Sequence, residues 1–81
     1  MTTAPIPLTD LPIGTVARLE RRDVDDESGR LLSALGLSVT RRLRLCTDRE
    51  PYIVQLQAAR IGLSAAVARN LYVKIDPPGG A

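Results

Sequence analysis

The segment Leu31-Leu32-Ser33-Ala34-Leu35-Gly36-Leu37 narrows the fold more than any other part of the chain. Residues 31, 32 and 35 stand at i, i+1 and i+4, which places three leucines on one side of a helix and predicts that this side is buried. Upstream, Asp25, Asp26, Glu27 and Ser28 offer acceptors and negative charge where a helix leaves its first N–H groups unpaired. The helix is therefore expected to begin near residue 26. Gly36 can take the left-handed conformation that ends it, and Leu37 sits where the next apolar residue folds back onto the last turn.

With 81 residues the chain holds one domain, and a domain of this size leaves little room for a deep catalytic cleft. The only aromatics are Tyr52 and Tyr72, so the core has to be aliphatic. No apolar run approaches the roughly 20 residues that cross a bilayer. The start MTTAPIPLTD lacks the basic region and apolar block of a secretory signal, which points to the cytoplasm. Cys46 stands alone and cannot form an internal disulfide; it falls on the outward phase of its strand, exposed there or packed as a small residue.

Both ends are punctuated by proline, and residues 1–7 and 77–81 read as flexible tails around a domain at 8–76. Leu8, Leu11 and a turn at Pro12-Ile13-Gly14 lead into a strand over 15–22, with Ala17 and Leu19 inward. After the helix, residues 39–47 alternate again: Leu43 and Leu45 on one face, Arg42, Arg44 and Cys46 on the other. Asp48-Arg49-Glu50-Pro51 has turn composition, and 52–57 follows with Val54 and Leu56 inward, so the two strands form a hairpin. Residues 60–63, including Leu63, make a further short strand; Ser64 caps a helical turn through Ala68; and 71–75 closes the domain with Leu71 and Val73 inward. Five short strands with one inserted helix fit a mainly β, small, partly open SH3-like barrel, a form that limits exposed strand edges.

Chemistry-bearing residues are few. The chain has no histidine and one cysteine, so it lacks a Cys/His nucleophile pair and the usual nitrogen and sulfur ligands for iron or zinc. Asp23, Asp25, Asp26 and Glu27 lack calcium-loop spacing, and glycine motifs that cradle phosphate are missing. No catalytic residue, metal site or cofactor is expected. The formal charge is +2, eleven bases against nine acids, and ten of the eleven are arginine; Arg41, Arg42 and Arg44 cluster. This cluster is either a solvated strand face or a patch for an acidic or phosphate-bearing partner.

The succession Leu8-Thr9-Asp10-Leu11-Pro12-Ile13-Gly14, Leu32-Ser33-Ala34-Leu35-Gly36-Leu37, Leu43-Arg44-Leu45, Val54-Gln55-Leu56, then Leu63, Ala68, Leu71 and Val73 resembles the FeoA family. These are SH3-like small barrels associated with bacterial ferrous iron transport, and the likeness spans residues 8–75. It departs from the family at Val39-Thr40, where a Pro-Gly turn is usual, and at Ala58, where a glycine is usual. The resemblance implies a cytoplasmic, non-enzymatic accessory protein that touches the cytoplasmic side of a FeoB-type membrane transporter, without inserting in the membrane. Two other classes stay open: a regulatory module as in DtxR-type metal-dependent repressors, and a small-barrel nucleic-acid binder. The second is disfavoured by the lack of stacking aromatics and by the balanced charge. For the partner contact, the alternation places Ile53 and Tyr72 outward. With Ile61 and the helix-end Leu37 they are expected to form an apolar centre, rimmed by Arg42 and Arg44.

Overall fold

The computed structural model describes residues 4–75. Six strands form one antiparallel sheet: β1 (Ile6–Pro7), β2 (Val16–Arg22), β3 (Arg42–Leu45), β4 (Tyr52–Gln55), β5 (Arg60–Leu63) and β6 (Leu71–Ile75). Helix α1 (Asp26–Ala34) joins β2 to β3, the single turn α2 (Ala65–Ala68) joins β5 to β6, and a 3-10 turn covers Leu8–Asp10. The order across the sheet is β1-β6-β2-β3-β4-β5, so the last strand inserts between the first two.

All six strands contribute side chains to one core. Ala17, Leu19, Leu43, Leu45, Val54, Leu63, Leu71 and Val73 are buried from the strands, joined by Leu8, Leu11, Leu32, Leu37, Leu56 and Ala68, with Ile6 of β1 packed against them. A sheet whose end strands share one aliphatic interior has to curl over it, which is the SH3-like arrangement. Each leucine moved from water to this interior contributes about 1.5–3 kcal/mol.

Three turns show local sequence setting backbone geometry. Gly14 has φ +84° and Thr15 N–H donates to Pro12 C=O at 3.2 Å, closing the turn that starts β2. At the end of α1, Gly36 has φ +97°; its N–H donates to Ser33 C=O at 3.0 Å and Leu37 N–H donates to Leu32 C=O at 2.8 Å, the paired bonds of a Schellman cap. The third turn, Ser38 to Arg41, is closed by Arg41 N–H on Ser38 C=O at 3.1 Å and carries Thr40 at φ +76°. A β-branched residue with that sign of φ is strained.

The structure corrects four expectations. Residues 1–7 do not form one tail, because Ile6 and Pro7 pair with Val73 and Tyr72. Pro7 has no N–H to give, and β1 lies at the sheet edge, where none is needed. The expected tail at 77–81 lies outside the described residues. The strand foreseen over 39–47 shrinks to 42–45, because the Thr40 turn consumes its start. A sixth strand, β1, joins the five foreseen.

The fourth correction concerns the leucine face. Leu32 is buried, whereas Leu31 is 63% exposed and Leu35 44% exposed. The inner seam of α1 runs instead through Ser28, Gly29 and Leu32 to Gly36, all at least half-buried. Leu31 and Leu35, off that seam, turn to solvent. Asp25 caps the helix, its Oδ1 accepting from Ser28 N–H at 3.4 Å; the Ser28 hydroxyl first, and that N–H after it, hold its carboxyl below the ordinary value.

Arg22 ties α1 to the sheet. A register shift between Leu19 and Arg21 in the β2–β6 ladder turns Arg22 to the phase of buried Leu71. Its Nη1 donates to Gly29 C=O at 3.1 Å, Ser33 Oγ at 2.7 Å and Leu37 C=O at 3.0 Å. One guanidinium thereby binds the middle and end of the helix and the residue that follows it.

Candidate interaction surface

With the inner face filled, chemistry is left to the outer face and to α1. Facing residues in an antiparallel ladder share a side, so the register lays out the outer face in rows. One row runs Lys74, Arg18, Arg42, and the next runs Val16, Arg44, Gln55, Arg60. The turn at residues 38–41 closes one end of these rows. An open groove of about 690 Å³ lies here, with Arg18, Arg41, Arg42 and Arg44 on its walls and no carboxylate among the described residues that line it. Gln55 also borders it, its amide held by Leu56 C=O at 2.7 Å and its Oε1 by Arg60 Nε at 2.7 Å.

A second feature lies on α1. Leu31 and Leu35 are one helical turn apart and both exposed, and Val39, in the turn beyond, is 43% exposed. These leucines form an apolar ridge whose solvent exposure stability does not require.

The surface read from alternation fares differently at each position. Arg42 and Arg44 come together, joined by Arg18 and Arg41. Leu37 is fully buried, because the Schellman cap turns it into the core beside Leu32. Ile61 is also buried, because the β4–β5 register sets it opposite inward Val54. Ile53 and Tyr72 are half-buried on β4 and β6, with β2 and β3 between them, so they make no common apolar centre. Tyr72 faces Pro7 across the ladder, and the Arg21 guanidinium stacks 4.2 Å from its ring centroid. Ile53 is paired with Gly62.

What sequence reasoning missed was the ridge and, among the groove arginines, Arg18. The Leu31–Leu35 spacing was visible, but the same spacing serves a buried face equally well. Small residues at 28, 29 and 36 beside that leucine pair were the available signal. Arg18 could have been found by counting outward phases on β2 against those on β3.

Cys46 is half-buried with its Sγ 3.9 Å from Arg44 C=O. Among the described residues no group of three or more His, Cys, Asp and Glu is placed to hold a metal ion. No described helix is long and apolar enough to cross a membrane.

A curled six-stranded sheet closed by one capped helix defines the class: a small SH3-like β domain. The model of the FeoA domain matches residues 6–75, and the chain belongs to that family. Among solved structures it is similar to an iron uptake regulatory protein (FeoA), at TM-score 0.81 and 15% identity over 91% of this chain and 100% of that one. It is similar to the FeoA protein from Chlorobium tepidum at TM-score 0.80 and 20% identity, over 94% of this chain and 78% of the other. It also matches a manganese-dependent transcriptional repressor at TM-score 0.83 and 22% identity, covering 94% of this chain but 44% of the repressor. No curated protein matches the chain.

Proposed function

We propose that this domain is a non-enzymatic cytoplasmic accessory protein of bacterial ferrous iron uptake, acting by contact with the cytoplasmic side of a FeoB-type transporter. Membership of the FeoA family supports the pathway. The observation that carries the contact is the Leu31–Leu35 ridge, exposed on a helix that is otherwise capped, clamped and complete. Two leucines left in water on a short helix are an anchor for a protein partner.

The test is capture of the cognate transporter by the tagged domain, compared with a Leu31→Glu/Leu35→Glu variant. Both side chains lie outside the core, so the variant keeps the native circular dichroism and thermal midpoint while capture falls. Capture undiminished by the double charge would move the contact elsewhere, and no capture by the native domain would overturn the reading.

The likeness to the repressor favours a second reading, a regulatory module of the kind such proteins contain. The same experiment separates the two, since a regulatory module brings down a DNA-binding partner and leaves the transporter behind.

A further inference from the structure

We infer that the free edge of β5 docks a second copy of this chain, the two β5 strands pairing antiparallel about Ile61. This goes beyond the contact proposed above, which rests on α1. β4 lies along one side of β5, and among the described residues no strand pairs with the other side. The phase of the β4–β5 ladder shows what that side offers. Leu56 N–H donates to Ala59 C=O at 2.8 Å, and the register sets Val54 against Ile61 and Tyr52 against Leu63. Hydrogen-bonded pairs alternate along an antiparallel ladder, so Ile61 and Leu63 give their main-chain groups to β4, while Arg60 and Gly62 aim theirs outward.

An exposed edge is normally blunted by a proline, a bulge or a projecting charge. The opposite edge of this sheet follows that rule, since β1 carries Pro7. At β5 each of these guards is missing. The strand holds no proline, its register with β4 runs unbroken from Arg60 to Leu63, and its single charge is drawn back toward β4, Arg60 Nε donating to Gln55 Oε1 at 2.7 Å. Gly62 is a second, independent sign. Glycine weakens a strand interior, yet nothing inside the domain asks for it here: its φ is not left-handed, and a Cβ would meet Pro51 Cβ at 3.4 Å, a van der Waals contact. A side chain left off in the middle of an open edge makes room for a neighbouring strand.

The strand's own pattern selects the second copy. With Ile61 on a two-fold axis, Arg60 of each copy stands opposite Gly62 of the other, and each of those pairs exchanges both of its main-chain hydrogen bonds. A large side chain on the outer face thus meets a position that has none, at both places. On the buried face Ile61 meets its own counterpart at the closer, non-hydrogen-bonded spacing. Charge agrees with this direction. The antiparallel neighbour brings its Arg60 toward the end of β5 where the Glu50 carboxylate is anchored by Ala65 N–H at 2.6 Å. A register with Gly62 on the axis would set glycine against glycine and forfeit that fit.

Sedimentation velocity and amide exchange on the native chain, from micromolar to millimolar protein, test this. The mass should rise from monomer toward dimer. Over the same range the Arg60 and Gly62 amides should slow their exchange about tenfold, while those of Ile61 and Leu63, already bonded to β4, stay slow throughout. Gly62→Pro removes an outward N–H that the β4 ladder does not use. It should keep the native circular dichroism and weaken self-association about tenfold, the donor being lost from both copies. Arg60→Glu, which leaves every main-chain group in place, turns a carboxylate toward Glu50 of the second copy and should weaken it likewise. A chain that stays monomeric at millimolar concentration overturns the inference. So does a dimer whose added protection lies outside β5, or association unchanged in either variant while it remains folded.

Discussion

Replacing Thr40 by glycine should stabilise the domain, although it removes a side chain and loosens the unfolded chain. Thr40 occupies φ +76° at the third position of the Ser38–Arg41 turn, with its own N–H donating to Leu19 C=O at 2.7 Å and Arg41 C=O accepting from Leu19 N–H at 3.0 Å. These bonds fasten the turn to β2 and leave the residue no other conformation. A side chain with a Cβ costs about 1–2 kcal/mol there, and the β-branch makes Thr a poor tenant. Glycine removes that strain but loses about 0.5–1 kcal/mol to its extra freedom when unfolded. The net gain is about 0.5–1 kcal/mol, a rise of about 2–8 °C in the midpoint for a domain of this size. Thr40 is exposed, so removing its hydroxyl leaves no buried group unsatisfied. Thermal and urea unfolding followed by circular dichroism would measure the gain, with an unchanged urea slope showing that the two end states are the same. A Thr40→Gly variant that is native in spectrum but no more stable would refute the claim that this turn stores strain.

Gly36→Ala should act in the opposite sense. The left-handed φ of +97° costs about 1–2 kcal/mol with any Cβ, and this one would sit 3.2 Å from Leu56 Cδ1, so urea unfolding should show a loss of at least that size. Arg22→Met keeps the stem and removes three hydrogen bonds from a partly exposed guanidinium. A loss of about 1–3 kcal/mol is expected, with amide exchange accelerated in α1 before the sheet. Asp25 carries a carboxyl lowered by hydrogen bonding to Ser28, its hydroxyl first and its N–H second. Because its pKa is depressed in the folded state, its stabilisation is present above the unfolded value of 3.8 and is lost as pH falls through the folded one. Asp25→Asn should flatten that acid limb of the stability curve, measured by urea midpoints across the range.

Much of the fold could be read from the sequence because strand alternation and caps are local signals. Gly14, Gly36 and the Ser64 cap of α2 act within a few residues of where they sit, and the inward phases of Leu43, Leu45, Val54, Leu71 and Val73 follow from period two. The errors lie where a distant element decides. Ile6 and Pro7 become a strand only because β6, at the other end of the chain, offers an edge. Arg22 turns inward only because the β2–β6 ladder skips a residue. Leu31 and Leu35 look like core until the tertiary packing shows that α1 buries Leu32 instead. The two departures from the family pattern also separate here. Thr40 keeps the left-handed backbone that glycine normally supplies, whereas Ala58 has no positive φ, so its methyl group costs no strain of that kind.

The contact surface was only partly legible for the same reason. Arg42 and Arg44 declare themselves by phase on one strand, but a groove needs neighbours from β2 and the turn, and pairing register is a tertiary property. Leu37 and Ile61 illustrate the converse, apolar residues near a surface element that register and capping take inside.

The most direct test of the central claim is photo-crosslinking in living cells with a photoreactive amino acid placed at Leu35, and separately at Glu27 on the far end of the same helix. A protein that works by docking this ridge on the transporter should give a covalent adduct with the FeoB-type protein from position 35 and little or none from position 27. No transporter adduct from Leu35, or equal adducts from both positions, would contradict it.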